Sequence, residues 1–394
     1  MRKKILLVVT IFFLGFFAIE ALLRIVKTQL STKTAQKTSS AFVFHPHYII
    51  TLKKNHQKEF VHNNINGGKV ITWKTNAHGF RGKELQKNPY RRIVVYGDSN
   101  IQARFSSLKD TFTQQLQTLL SNNQQQIEII NAGIVGAGPD QYLLRLQEQY
   151  QLLQQHLTIF AVFADNDLGD ILRNRLFFIE KDTLKKTSFP VISDEKLTTY
   201  RSIIQRSQSN FLTIRTIDKI IKKYSDSSQK IIQTLQVYCK QDYELYLQKK
   251  PRKVLHINDY YDIDIALNPK QASAILKIKL LEKILYRAQN FCHNRNSKFL
   301  VIILPSVIDL TKNGRWSYAD LKKVSPTYKS NNISQAIENV CKNIKIPYIN
   351  FFKAMSKNNP STLFFIRDGH WNNAGQKLAA EQTKSYINKK NWLK

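Results

Sequence analysis

Two kinds of apolar pattern alternate along this chain. Short unbroken runs rich in β-branched residues occur at Arg92-Ile93-Val94-Val95-Tyr96, at Ile127-Glu128-Ile129-Ile130-Asn131, across residues 157–163 and at Phe299-Leu300-Val301-Ile302-Ile303-Leu304. A weaker fifth run is Ile346-Pro347-Tyr348-Ile349-Asn350. Unbroken runs of this length fit strands buried on both faces, as in a parallel sheet. Between them the apolar positions recur at helical spacing. Phe112, Leu116, Leu119 and Leu120 mark one face, Tyr142, Leu143, Leu146, Tyr150 and Leu153 a second, and Ile275, Ile278, Leu281, Ile284 and Leu285 a third. Strand–helix alternation predicts an open α/β sheet of five mainly parallel strands with helices on both sides.

The remaining stretches follow other patterns. Residues 5–23 are apolar except for Thr10, Gly15 and Glu20, and they follow Arg2-Lys3-Lys4. As a helix rising about 1.5 Å per residue, such a run roughly spans the hydrocarbon core of a bilayer. The basic start predicts a cytoplasmic N-terminus and an exported body. A cleaved signal peptide is the alternative, but Ala18-Ile19-Glu20-Ala21 is a poor cleavage site and the run is long, which favours an uncleaved anchor. Residues 27–41 are polar and predict a tether. Residues 42–80 hold short alternating pieces such as Val70-Ile71-Thr72-Trp73, with Gly67-Gly68 as a turn, and predict a small β-rich lead-in. About 130 residues, 168–298, separate the third and fourth runs. That is far more than one crossover needs, and its charged helical pattern, as in 217–224 and 228–247, predicts an insertion with Asn268-Pro269 as a break before the crossover resumes.

At 42% hydrophobic over 394 residues the chain can build a sizeable core, which excludes the disordered class. Lys and Arg number 60 against 28 Asp and Glu, a net charge of +32. Such a field attracts anionic partners. The charge is spread along the whole chain, however, and aromatic residues do not interleave with it as on a base-stacking face, so no nucleic-acid partner is expected. Three cysteines, Cys239, Cys292 and Cys341, cannot form a disulfide framework; at most one pair can form, and the sequence does not say which.

In an open parallel sheet, reactive groups gather beyond the carboxyl ends of the strands. The first run ends Gly97-Asp98-Ser99-Asn100, where a serine at a strand-to-helix turn presents its hydroxyl near positive backbone dipoles. Alone, this is more often an ordinary capped turn. The second run leads into residues 131–138, where the Gly136 N–H is a candidate for a developing oxyanion; the alternative is a loop shaped only for its turn. Its glycine spacing does not fit a dinucleotide site. The third run ends Ala164-Asp165-Asn166-Asp167, and the Asn166 amide is a second candidate donor beside simple Asx-turn chemistry. Near the C-terminus comes Arg367-Asp368-Gly369-His370-Trp371-Asn372. His370 is a candidate general base, and Asp368 a carboxylate to fix its tautomer. These groups follow the strands in chain order, each suited to one acyl-transfer reaction.

At these residues the chain resembles the SGNH (GDSL-type) hydrolase superfamily. Gly97-Asp98-Ser99-Asn100, Gly136, Asn166 and Asp368-Gly369-His370 carry the resemblance. Asn76-Ala77-His78-Gly79-Phe80-Arg81-Gly82 is similar to an element of membrane-anchored envelope members. The likeness covers about 75–171 and 272–384. It implies a flavodoxin-like three-layer α/β/α fold, with Ser99 as nucleophile, His370 as base and Asp368 orienting it. It further implies an oxyanion hole from the N–H groups of Ser99 and Gly136 with the Asn166 side chain, and no metal or cofactor. Three departures stand out: Asn100 where an apolar residue is common, Ala164 where glycine is usual, and an acid two residues before the histidine where three is usual. The Asp-x-His-Trp spacing also occurs in polysaccharide O-acetyltransferase relatives.

The expected layout is an anchor (1–26), a tether (27–41), a β-rich lead-in (42–90), the hydrolase-like domain (91–167 and 299–394) and a helical insertion with its crossover (168–298). The expected activity is serine-dependent hydrolysis of an acyl ester, or O-acyl (acetyl) transfer, on an envelope glycan or another acylated substrate. The body is expected outside the cytoplasm, held to the inner membrane by a single-pass N-terminal helix, with the insertion available to an envelope protein partner. The competing expectation is a catalytically idle scaffold or binding subunit of an envelope polysaccharide complex.

Overall fold

A computed structural model describes residues 2–31, 41–62, 64–122, 126–187, 228–249, 260–311, 315–316, 319–326, 328–366 and 368–393. The expected helical stretch 217–224 lies outside the described residues, as do 32–40 of the expected tether.

Helix α1 (Arg2–Ser31) takes in the apolar N-terminal run and continues past the expected tether boundary at residue 27. Neither Gly nor Pro occurs from 16 to 45, so nothing in the chain stops the helix there. Among the described residues, no helix is long and apolar enough to cross a membrane. The side chains of 2–9, 12 and 26–31 lie outside the described ones.

The lead-in forms two antiparallel hairpins, β1 (Phe42–His45) with β2 (Ile49–Leu52) and β3 (Gln57–Val61) with β4 (Val70–Lys74). The five continuous apolar runs become β5 (Arg91–Gly97), β6 (Ile127–Gly133), β7 (Leu157–Ala164), β10 (Lys298–Pro305) and β13 (Tyr348–Asn350). They form one sheet in the order β13-β10-β7-β5-β6, parallel throughout. Between them lie the hairpin β8 (Phe177–Glu180) and β9 (Thr183–Lys186), and the two-residue strands β11 (Arg315–Trp316) and β12 (Ala319–Asp320) come after β10.

Every residue of β6 and β7 is buried, and every residue of β10 but Lys298. The period-2 alternation of side chains explains how. Val94, Tyr96, Phe160, Val162, Val301 and Ile303 point to one face, where they meet α4 (Pro139–Leu153), α8 (Ala272–His293) and α9 (Asn332–Asn343). Ile93, Val95, Ile159, Ala161, Leu300 and Ile302 point to the other, against α3 (Phe112–Leu120) and α10 (Asn373–Lys389). The result is a three-layer α/β/α fold. Because β6 lies on one side of β5 and β7 on the other, the chain reverses direction across the sheet at β5/β7. The carboxyl ends there form the crevice where open α/β sheets place their reactive groups.

The insertion starts with α5 (Asp167–Asn174) and then makes the β8–β9 hairpin, which the helical pattern did not predict. Its two turn residues, Lys181 and Asp182, both sit at positive φ, 44° and 59°. That is the backbone of a type I′ turn, normally announced by Asn-Gly or Asp-Gly, and here the signature is missing. Helix α6 (Ser228–Leu247) and α7 (Ile263–Leu267) follow, and α7 ends at Asn268, where the break was expected.

One buried ion cluster ties the insertion to the crossover. Lys277 of α8 is fully buried, with Nζ 2.8 Å from Asp262 Oδ1 and 2.9 Å from Asp264 Oδ1. Burial works to lower the Lys277 pKa, but Asp262, Cys239 and Asp264 outweigh it and raise it. Cys239, Cys292 and Cys341 are all free and buried. Lys277→Met strands two carboxylates away from water and is expected to cost about 3–5 kcal/mol at neutral pH. Urea unfolding measures this; an unchanged midpoint refutes the pairing.

Candidate active site

β5 delivers its carboxyl end into a tight turn. Asp98 caps the short helix α2 (Ser99–Gln102 in chain order, preceding α3), accepting from the Asn100 N–H at 2.8 Å. Ser99 therefore occupies the first helical position. Two glycines permit this close packing. A Cβ on Gly97 would meet the Ile101 side chain at 2.4 Å, and one on Gly133 would meet the Gln102 backbone N at 2.3 Å. The carbonyl end of the same helix is held from below by the lead-in. Buried Arg81 donates to the carbonyls of Gln102, Ala103 and, at 2.6 Å, Ser106. Burial pulls the Arg81 pKa down to about 9, so the guanidinium stays charged at neutral pH. Asn76 shapes the turn that presents it, its side-chain oxygen accepting from the N–H groups of His78 and Phe80, with Gly79 at φ +81°.

The histidine loop closes from the far end of the chain. It is pinned at its base by an antiparallel bridge between Phe364 and Trp371. Asn100, one of the family departures, links the two segments: its Oδ1 accepts from the Trp371 N–H at 3.2 Å. Gln376 of α10 adds a second link, donating to the Asn100 carbonyl at 3.0 Å and accepting from the Phe112 N–H at 2.8 Å.

Across this junction, His370 Nε2 lies 2.7 Å from Ser99 Oγ, and His370 Nδ1 bonds to Asp368 Oδ1. With Nδ1 facing a carboxylate, the ring proton sits there and Nε2 is left to accept from the serine hydroxyl. Burial works to raise the Asp368 pKa, but bonds and charge from His370, then His62, outweigh it and bring it down to about 2. Ser99, His370 and Asp368 thus stand in one hydrogen-bonded line. Ser99 Oγ has a second acceptor in Asp98 Oδ2, at 3.2 Å.

Of the three expected oxyanion donors, Gly136 and Asn166 stand apart from Ser99. A small pocket, partly open to solvent, is lined by Ser99 and His370 together with Phe105, Val135, Phe365 and Trp371; neither Gly136 nor Asn166 lines it. Gly136 follows Val135 at φ +70°. Asn166 is 4% exposed, and its Nδ2 donates to Asp170 Oδ2 at 2.6 Å while its Oδ1 has no partner. Asp170 is itself held by Arg173, at 2.7 Å, and Arg173 reaches Asp242 of the insertion at 3.1 Å. The neighbouring Asp167 is pushed well above the usual carboxylate range by burial and then by the charge of Asp98.

Among the described residues, two groups have metal-ligand spacing: His45 with His47 and Glu148, and Cys239 with Asp262 and Asp264. The Lys277 ammonium already bridges the two aspartates of the second group. In the first, each Glu148 oxygen takes one imidazole, at 3.3 Å and 2.7 Å. Neither group includes a residue of the Ser99 cavity.

Arg81, Gln376 and His62 were not among the residues expected at the site. Arg81 had a signal, since it stands in the Asn76-x-x-Gly79-Phe80-Arg81 element; the other two had no local signal.

No known family model matches the chain, and no curated protein matches it. Similar solved structures include the psychrotrophic esterase EstA from Pseudoalteromonas sp., at 13% identity over 77% of this chain and 98% of that one, with a TM-score of 0.37. An acetyl xylan esterase, AlAXEase, matches at 13% identity over 75% and 99%, with a TM-score of 0.39. A GDSL-like lipase from Bacteroides thetaiotaomicron matches at 10% identity over 78% and 92%, with a TM-score of 0.36. Two of these neighbours are esterases and the third is a lipase.

The depressed Asp368 pKa has a sign that can be checked. The ionised carboxylate contributes stability that is complete above its unfolded value, about 4, and is lost as pH falls through about 2. Asp368→Asn is expected to lose about 2 kcal/mol at neutral pH. That deficit should close as pH is lowered across this window, followed by circular dichroism in urea. A deficit constant from neutrality to the acid end refutes the assignment.

Proposed function

We propose that this chain is a serine-dependent ester hydrolase or O-acyltransferase of the SGNH type. One observation carries the reading: Ser99 Oγ lies 2.7 Å from an imidazole whose other nitrogen is bonded to Asp368. Ser99 attacks an ester carbonyl while His370 Nε2 takes its proton, and Asp368 supports the resulting imidazolium. The proton then passes to the departing alcohol, leaving an acyl-Ser99 ester. Water releases the acid; a sugar hydroxyl in its place takes the acyl group.

The oxyanion is assigned to the backbone N–H groups of Ser99 and Gly136 and to the Asn166 amide. Asn166 Nδ2 carries two hydrogens, and the bond to Asp170 uses one of them. That bond fixes the amide plane without exhausting it. Each well-placed donor of this kind is worth about 3 kcal/mol at the transition state.

The apolar walls of the pocket, Phe105, Val135, Phe365 and Trp371, suit the methyl of a short acyl group such as acetyl. Arg104 also lines it, with its guanidinium 4.6 Å from the Phe105 ring centre. Together with the +32 net charge, this favours an acceptor or alcohol of anionic character, such as an envelope glycan. For location, we propose a membrane anchor in α1. Among its described apolar side chains, Ile11, Phe13, Leu14, Phe17, Ile19, Leu22 and Ile25 are more than half exposed, which suits a lipid-facing helix.

The idle-scaffold reading has one observation in its favour, the position of Gly136 and Asn166 outside the cavity. Chemistry separates the two. Wild type is expected to be labelled at Ser99 by a fluorophosphonate and to turn over p-nitrophenyl acetate. Ser99→Ala and His370→Ala should each lose at least about a thousandfold. A wild type that is folded yet unlabelled favours the scaffold. Mass spectrometry of acetate after incubation with acetylated and deacetylated glycans separates release from transfer. A reporter fused after Lys394 is expected to be active outside the cytoplasm; activity inside overturns the anchor topology.

A further inference from the structure

Asp368 has two carboxylate oxygens, and His370 uses one. The other, Oδ2, is met at 3.4 Å by Nε2 of His62, the residue that follows β3 in the lead-in. His62 is 4% exposed. Its ring packs against Phe105 and Phe365, with centroid separations of 4.3 Å to each. Its Nδ1 has no hydrogen-bond partner.

Burying an imidazole among aromatic rings costs desolvation that a phenyl ring in the same box would not incur. The compensating contact is the one to the carboxylate. With Nε2 facing Asp368 and Nδ1 without a partner, a proton on Nε2 is the one the acid accepts. The same lead-in holds the loop at a second point. The Asn66 amide donates to the Ile366 carbonyl at 3.0 Å and accepts from the Ile366 N–H at 2.8 Å. Within the loop, Asp368 and His370 are separated only by Gly369, at φ +83°. The turn is closed by its own backbone, Asp368 N–H to the Phe365 carbonyl at 3.2 Å and Phe365 N–H to the His370 carbonyl at 2.9 Å, but these bonds do not fix the rotation of the Asp368 carboxylate, which its side-chain partners set.

We propose that His62 is a positioning residue for the reaction at Ser99, its Nε2–H holding Asp368 Oδ2 so that Oδ1 stays aimed at His370 Nδ1. The inference rests on the serine-ester reading above. His62 does not itself line the Ser99 pocket, and His62→Phe keeps Phe105 and Phe365 packed, so loss of the donor in that variant acts on the chemical step more than on substrate binding. A carboxylate free to rotate supports the imidazolium less well, and acylation of Ser99 slows.

The test uses the full chain with His62→Phe, His62→Asn and His62→Gln. Phe fills the box without a donor. Asn carries an amide too short to reach, and the longer Gln amide nitrogen takes the place of imidazole Nε2. Fluorophosphonate labelling of Ser99 and turnover of p-nitrophenyl acetate are measured beside the thermal melt. His62→Phe and His62→Asn are expected to label and turn over roughly tenfold more slowly, with KM within about twofold of wild type, while His62→Gln recovers to within about threefold. The downfield proton resonance of the His370–Asp368 bond should weaken in the first two and return in the third.

Wild-type labelling rates in His62→Phe overturn the proposal. So do equal losses in His62→Gln and His62→Asn, which would mark a purely packing role. Should His62→Phe fail to fold, the Asn and Gln pair decides alone. Ser99→Ala separates this inference from its foundation. If that variant labels like wild type, the serine reading falls and His62 with it. If labelling requires Ser99 and the His62 variants are unaffected, only the positioning role falls.

Discussion

A parallel sheet covered by helices on both faces leaves its polar chemistry one outlet, the carboxyl edge of the strands. Everything at this protein's candidate site follows from that constraint. The interiors of β6, β7 and β10 hold no room for an exposed polar side chain. Asp98, Ser99 and Asn166 therefore stand beyond the last residues of their strands, around the point where the chain reverses across the sheet. The sheet sets where a hydroxyl can be presented; the loops decide what meets it there.

The sheet itself was legible in the sequence because burial on both faces writes an unbroken apolar run, and the fully buried strands carry the clearest ones. The weakest run, at 346–350, became the shortest strand of the five-stranded sheet, three residues at its edge. Legibility failed where structure depends on backbone angles without their usual residues. The β8–β9 turn uses Lys181 and Asp182 at positive φ, and nothing about that pair announces it. Helix α1 outran its expected end because polarity alone was taken to stop it, whereas helices stop at breakers or for lack of packing.

At the site, the contrast is between residues named by a local motif and residues that arrive from elsewhere. Ser99, Asp368 and His370 sit in recognisable clusters, and geometry joins clusters 271 residues apart. His62 meets Asp368 across 306 residues from the end of an ordinary strand. A histidine there has no periodicity, cap or turn to explain it, so only the assembled loop gives it meaning. Asn166 is the opposite case. The motif was plain, but its amide is engaged by Asp170 one helical turn on, through a network that runs by Arg173 to Asp242. Neighbouring carboxylates that one motif cannot reveal set the state of that side chain.

The lead-in supplies Arg81 beneath the serine turn, while the histidine arrives on the last loop before α10. The two halves of the candidate site thus come from segments far apart along the chain. During synthesis the guanidinium and its hairpins emerge well before the imidazole, so the serine turn is made and held long before the loop that meets it exists.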